Sequence, residues 1–456
     1  MAEALLLACL RHRCLVGGVD ERPPDSLMPH RHPPHMRSLL FSAVVLGLVA
    51  VGLGACSPSD SPDALSLSSV EIPVEGATFA PRLSVDAEDR LLLSYLADTD
   101  AGHALQFIRY DGNDWSTPQT VAEGDDWFAN WADTPGVRPV GDWLFAHWLV
   151  RSGPGTYHYN IHAAWSNDGG ETWGEPFILH GEGRPAEHGF LSSVVLEDGA
   201  LGVTWLDGRY TVDSEASHEN AASHNTHASH QGEMSLRWAR FEPGESQPSR
   251  DIELDDQVCD CCMTASVREG SDVRVLYRDR SDAEIRDIAS VRVTPQDQKS
   301  EGRVAVDDWQ ISACPVEGPA MVRRGTTTDA VWFTRHENEP RVFWASTIST
   351  GDAFSDPVRM DEGQAVGRVG AVAVDEERTL VTWLENAEGD HSADGTLMAR
   401  VVNDEGAMPS ESLMPISTSR SSGFPLLERT SGAVWVAWTD ATKEDRHVRV
   451  GTIQGL

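Results

Sequence analysis

Leu91-Leu-Leu-Ser-Tyr95 is a short apolar run that ends in an aromatic residue, and versions of it return along the chain. They read Trp143-Leu-Phe-Ala-His-Trp148, Leu201-Gly-Val-Thr-Trp205, Val273-Arg-Val-Leu-Tyr277, Ala330-Val-Trp-Phe333, Leu380-Val-Thr-Trp383 and Val434-Trp-Val-Ala-Trp438. Runs this short, with no 3.6-residue apolar period around them, read as strands buried on both faces. Their starts lie roughly 50 to 70 residues apart, the spacing of a propeller-type array. Each run follows a small-residue or Gly approach, an apolar strand and a turn. A third strand comes after it, near 104–109, 159–165, 236–241, 285–291, 342–348 and 397–402, and then a weaker fourth. The reading is an all-β chain, a β-propeller of seven four-stranded antiparallel blades, with six blades as the alternative. Helices should be scarce.

The last unit has strands near 425–428, 434–438 and 448–453 but no outer strand before the sequence stops. Residues 66–73, Ser-Leu-Ser-Ser-Val-Glu-Ile-Pro, precede the first unit without a partner. Pairing the two closes the ring and removes two exposed sheet edges.

Bulk composition narrows the function. The 456 residues hold 71 acidic against 36 basic side chains, a formal charge of −35, with Lys299 and Lys443 the only lysines. A surface of that sign repels phosphate backbones and argues against nucleic-acid partners. The 40% hydrophobic content suffices for a core.

Near the N-terminus, Met36-Arg37 is followed by an apolar run over 39–53 and then Leu53-Gly-Ala-Cys56. A basic start, an apolar stretch and small residues before the cut describe an export signal, too short for a comfortable membrane span. Its ending resembles a bacterial lipoprotein signal, which implies lipidation of Cys56. Residues 1–35 then read as an upstream extension, 36–55 as the signal, 56–65 as a Ser/Pro/Asp tether and 66–456 as the propeller. Ser57 does not signal inner-membrane retention, so the expected address is the outer membrane, facing the periplasm. The membrane is touched through the lipid alone, and the chain is expected to be a monomer.

The turn Ser166-Asn-Asp168-Gly-Gly170-Glu-Thr-Trp173 resembles the Asp-box of bacterial sialidases and related propellers. Its chemistry is structural: Asp binds turn backbone, Gly takes a positive φ and Trp packs between sheets. Thr347–Phe354 keeps the spacing with substitutions, and Asp111-Gly-Asn-Asp-Trp115 is a shortened relative.

In a four-stranded blade, the loop leading into the inner strand and the loop joining strands two and three emerge on one face, opposite the Asp-box turns. That face receives a His-rich insertion (His218, His224, His227, His230), the stretch Val258-Cys-Asp-Cys-Cys-Met-Thr-Ala265, and Cys314. It also receives Asp207-Gly-Arg209, Arg278-Asp-Arg-Ser-Asp282, Arg335, Glu385 and Asp440. Loops on a rigid scaffold are where such folds carry function.

Of seven cysteines, Cys9, Cys14 and Cys56 belong to the leader, leaving Cys259, Cys261, Cys262 and Cys314. An even number in an oxidising compartment reads first as disulfides. Cys261 and Cys262 point to opposite sides if extended, so they should not share a partner. The expected bridge joins Cys314 to one of the three and staples blades four and five; the other two pair or ligate a metal. His224, His227 and His230, spaced three apart with Met234 nearby, offer imidazole and thioether ligands suited to copper or zinc. The other reading is a Ser/Asn/His-rich surface loop. His188 reads as a satisfied core or channel residue.

Cys259–Ala265, Tyr277–Ile288 and Cys314–Pro319 are similar to a family of bacterial secreted or lipid-anchored proteins described as sialidase-like, over roughly residues 70 to 455. The resemblance implies a propeller and glycoside hydrolysis. Such chemistry uses arginines for a substrate carboxylate, a Tyr nucleophile with a Glu base, and an Asp acid/base. The resemblance makes Arg82, Arg209, Arg278 and Arg280 the candidate guanidinium groups. Asp279, Asp282 and Glu284 are the candidate carboxylates, and Tyr210 and Tyr277 the nearest tyrosines. A glycan or glycoconjugate is then the expected partner. The alternatives are a non-catalytic partner-binding propeller and a copper or zinc protein using the His/Cys loops. An ion-pair network tying blade loops together accounts for the same Arg/Asp cluster.

Overall fold

Each of the seven apolar runs becomes the second strand of a separate antiparallel sheet. A computed structural model describes residues 64–212, 232–348, 351–386, 394–442 and 445–456. The leader with Cys56, and His218, His224, His227 and His230, lie outside the described residues. The inner strands, blades 1 to 7, are Thr78–Val85, Gly136–Val140, His188–Val195, Ala265–Glu269, Ala320–Arg324, Ala365–Ala373 and Leu426–Arg429. The second strands are Leu91–Thr99, Trp143–Arg151, Leu201–Asp207, Asp272–Arg278, Thr327–His336, Thr379–Asn386 and Val434–Ala441. The fold is therefore a seven-bladed propeller, and the six-blade alternative falls. The complete helical element among the described residues is one 3-10 turn, Arg420–Ser422.

The second strands are apolar throughout because sheets flank them on both faces. Trp205, Trp332, Trp383 and Tyr95 are fully buried, and burying a side chain of that size contributes roughly 3 kcal/mol. Hydroxyl groups tie neighbouring blades together near the axis. Ser94 Oγ accepts from the Val137 N–H at 3.1 Å, and Ser192 and Ser266 share a bond of 2.8 Å. Thr379 donates to Asp329 at 2.6 Å.

Ring closure follows the expectation. Ser66–Val70 pairs along Arg446–Gln454, from Ser66↔Gln454 to Val70↔Val450, and supplies the outer strand of blade 7. In blade 4 the third strand is Ile288–Val293 rather than 285–291. Ile285 and Arg286 instead bond the following loop: Ile285 bridges Gln310, and the Arg286 N–H donates to Trp309 O at 2.9 Å.

The Asp-box forms as expected. Ser166 donates to Asp168 at 2.8 Å and accepts from the Gly170 N–H at 2.9 Å; the Thr172 N–H donates to Asp168 at 3.0 Å. Those bonds hold the Asp168 carboxyl down at about 2. Gly170 has φ +88°, and a Cβ there would also run into Phe107. Trp173 packs edge-on against Phe107 of blade 1 at 6.3 Å, so the turn of one blade seals against the next.

Candidate functional site

The chain enters every inner strand on one face, called here the upper face, and residues near those seven starts surround the mouth of the axial channel. The mouth is a cavity of about 290 Å³ whose lining includes Arg82, Arg138, Ser192, Met263, Gly318 and Glu428. Three of the inner strands begin with a bulge. At the break in register, Ala80, Phe190 and Arg368 have φ of 54°, 55° and 52°. Positive φ at non-glycine residues is costly and tends to persist where surrounding structure over-determines it.

Two arginines give the cavity its chemistry. Arg82 donates to Thr134 Oγ1 at 3.1 Å and to Leu191 O at 3.0 Å, both neutral acceptors. Burial pushes its pKa down to about 10, with Asp133 opposing, so it stays cationic at neutral pH. Arg138, in the short inner strand of blade 2, has no hydrogen bond or ion pair to its side chain among the described residues. Burial lowers its pKa, and the opposing charge is Glu428, itself raised by burial. Two guanidinium groups without a directly bonded carboxylate in one small cavity are poised for an anion.

Beside the mouth, Asp133, Tyr159 and Glu187 share protons. The Tyr159 hydroxyl is 3.1 Å from both Asp133 Oδ2 and Glu187 Oε1, and Asp133 also accepts the Phe190 N–H at 2.8 Å. A phenol donates one hydrogen bond, so two flanking carboxyls are satisfied together only when one carries a proton. Burial accordingly pushes Glu187 up to about 8 and Asp133 up to about 6. Between the ordinary carboxyl range and about 8 the folded state holds a Glu187 proton that the unfolded chain has released. Stability therefore falls as pH rises through that window, by up to about 1.4 kcal/mol per pH unit. Glu187→Gln is expected to flatten that slope in urea titrations run from about pH 5 to about pH 8; an unchanged slope refutes the assignment.

A second buried cluster stands in the loop leading into blade 3. His180 and His188 stack at 3.6 Å, with Glu182 2.9 Å from His180 Nδ1 and 2.7 Å from His188 Nε2. Arg209 belongs here: it grips Asp207 at 2.7 Å and lies 3.5 Å from Glu182. Burial opposes the charge on Glu182 and Asp207, yet the surrounding donors hold both carboxyls below their ordinary range. His180 Nε2 accepts the Ile161 N–H at 3.3 Å, which places its proton on Nδ1, facing Glu182. His180 in this tautomer is a proton donor to Glu182, not a metal ligand. His188, read from sequence as a core or channel residue, is fully buried, with Nδ1 3.2 Å from Tyr159 O.

The Arg278–Asp282 segment serves the architecture. Arg278 is 1% exposed and donates to three main-chain carbonyls: Glu317 O at 2.7 Å, Arg286 O at 2.6 Å and Phe333 O at 2.7 Å. Its guanidinium also lies 4.7 Å over Trp309. Arg280 is held by Glu284 at 2.7 Å, Glu233 at 3.0 Å and Asp260 at 3.3 Å. Asp279 accepts the Arg280 N–H at 2.7 Å, and Asp282 accepts from Gln257 at 3.3 Å on the surface. Tyr277 donates to Asp255 at 2.6 Å, joining blade 4 to blade 3, and Tyr210 donates to Glu253 at 2.8 Å. Of the catalytic candidates named from sequence, Arg82 alone lines the cavity. The others lie on blades 3 and 4, engaged with neighbouring side chains or with main chain.

The cysteines form two bridges. Cys261–Cys314 links the loops leading into blades 4 and 5, as expected for Cys314, and Cys259–Cys262 closes within its own loop. The stretch is not extended; it turns at Asp260–Cys261. Instead of diverging, the sulfurs of Cys261 and Cys262 therefore join the same cluster.

No family model and no curated protein matches the chain. Similar solved structures include the polysaccharide lyase Uly1, at 7% identity and TM-score 0.49 over 88% of this chain and 94% of that one. A subtype N11 neuraminidase-like protein (A/flat-faced bat/Peru) aligns at 11% identity and TM-score 0.44, over 86% and 94% of the two chains. A variant of the NanB sialidase from Streptococcus pneumoniae aligns at 12% and 0.40, over 87% and 71%. These are likenesses of fold.

Sequence reasoning missed Arg138, Glu428, Asp133, Tyr159 and Glu187. A usable signal existed for the first two. A charged residue inside a short inner strand, as in Gly136–Val140 and Leu426–Arg429, has the axial channel beside it.

Proposed function

We propose that the chain is an exported, lipid-anchored propeller that binds an acidic glycan at the channel mouth, taking the sugar carboxylate between Arg82 and Arg138. The carrying observation is the Arg138 guanidinium, which has no bonded partner among the described residues while lining a cavity of about 290 Å³. A surface of net charge −35 disfavours long polyanions, so a saccharide with one carboxylate suits this mouth better than a phosphate polymer. Glu428 is the carboxyl in the lining, its pKa raised by burial. Sialidase-like turnover calls for a Tyr nucleophile with a Glu base and an Asp acid/base. Among the described residues the lining of the mouth holds Glu428 but neither Tyr nor Asp, which makes binding the primary reading and turnover the finer one. Lipidation at Cys56 and an outer-membrane, periplasm-facing address complete the proposal.

Calorimetric titration with N-acetylneuraminate and glucuronate, against glucose as a neutral control, tests it. Arg138→Ala is expected to weaken acidic-sugar binding about 10- to 100-fold, the worth of a charge-assisted hydrogen bond. Equal affinity for glucose, or no binding of either acid, overturns the site. Sugar released from a sialoside, measured in the same samples, separates turnover from binding. Cys56→Ala should move the protein from the membrane to the soluble fraction; an unchanged distribution removes the anchor.

A further inference from the structure

The two disulfides constrain the chain unequally. Cys261–Cys314 joins residues 53 apart, whereas Cys259–Cys262 spans three. A bridge that short restricts the unfolded chain least, yet it is the buried one: Cys259 and Cys262 are 0% and 1% exposed. All four Sγ atoms lie within 4.8 Å of one another, gathered by the turn at Asp260–Cys261. Two separate staples do not require that. Four thiolates around one ion do: a zinc–sulfur bond of about 2.3 Å sets tetrahedral sulfurs roughly 3.8 Å apart. Cys259 and Cys262 have the Cys-x2-Cys spacing with which one tight turn supplies two such ligands.

The surroundings favour thiolate. Arg286 Nη1 is 3.3 Å from Cys259 Sγ, and a guanidinium this close stabilises the anionic sulfur. Arg286 is itself fixed by Glu284 at 2.9 Å and Asp260 at 3.6 Å, which holds its guanidinium against the sulfur. Exposed Cys314 and half-buried Cys261 leave one side of the cluster open to reductant and ion.

We propose that these four cysteines are a redox-gated metal site, two disulfides when oxidised and a tetrathiolate centre for zinc(II) or copper(I) when reduced. Each disulfide accepts two electrons and two protons from a dithiol, which leaves as a disulfide. The four thiols then give up four protons as one ion binds. The site is independent of the glycan reading, although Met263 and Thr264 on one loop and Gly318 and Pro319 on the other line the channel mouth. Opening the Cys261–Cys314 clip releases the two loops that carry them.

The test uses the full chain without a His-tag, reduced anaerobically with a phosphine and titrated with cobalt(II). One equivalent should give intense sulfur-to-cobalt charge transfer with tetrahedral d–d bands, bleached by zinc(II), while the oxidised protein gives neither. Cys314→Ser should weaken binding at least about tenfold, since even outer-shell partners matter that much. No cobalt absorbance in the reduced protein overturns the proposal. So does absorbance unaffected by Cys314→Ser, which places the ion elsewhere. Should reduction melt the fold, zinc(II) present during reduction must preserve the strand circular dichroism; its failure to do so also refutes the site.

Discussion

Arg278→Met is expected to lower the stability of the propeller by about 4 kcal/mol or more. The guanidinium satisfies three main-chain carbonyls drawn from the loop before blade 5, the loop after Arg278 itself and the second strand of blade 5. A thioether of similar volume fills the space but leaves all three acceptors without a donor, away from water. It also removes a counter-charge from Glu317, which burial already pushes up to about 7 and which then ionises less readily. Arg278→Lys keeps the charge but presents a compact ammonium where a flat fork is needed, so it should fall between the two. The denaturation midpoint is the measurement, with an unchanged m-value showing that the native fold is the one being weakened. A Met variant within about 1 kcal/mol of the parent would show that the three bonds are dispensable.

The second large effect is expected at the ring closure. Deleting 66–70 strips Arg446–Gln454 of its partner along a five-residue register and takes Leu67 and Val70 out of two core clusters. Lost ladder bonds at about 1 kcal/mol net each, with two half-buried aliphatics, put the cost on the order of 5 kcal/mol. Side-chain links still hold blade 7 to blade 1: Asp89 accepts the Ser431 N–H at 2.9 Å, and Arg446 pairs with Asp98 at 2.8 Å. These are exposed and worth little; the buried bonds of the Val448 N–H to Thr78 at 3.0 Å and the Ala80 N–H to Thr439 at 3.3 Å remain to seat blade 7. The truncated chain should therefore melt earlier and aggregate through its bare edge. Light scattering during a thermal ramp reports both, and an unaltered midpoint without aggregation would mean the ring closes by other contacts.

Much of this architecture was legible because burial on both faces removes polar residues from the second strands. Runs such as Leu201–Trp205 then stand out without any alternation to decode. The orphan segment 66–73 was legible by subtraction, since the last unit lacked one strand. The site was less so. Arg278 and Arg280 have the composition of an anion-binding cluster. What distinguishes a clamp from a subsite is that Arg278 meets main-chain carbonyls, and a carbonyl has no letter in the sequence. Asp133, Tyr159 and Glu187 meet only through the packing of blade 2 against blade 3, at a bulge whose φ values no residue type announces. That Cys261 and Cys262 bond different partners was legible; the convergence of all four sulfurs was not, because an extended chain was assumed where the backbone turns.

The direction of the closing strand fixes the side from which the described chain enters the ring. Ser66 stands opposite Gln454, at the end of that blade where Asp-box turns lie in the others. Val70 runs from there toward the face on which inner strands begin. The chain thus joins the disc at its perimeter and from behind, with the axial mouth on the far side.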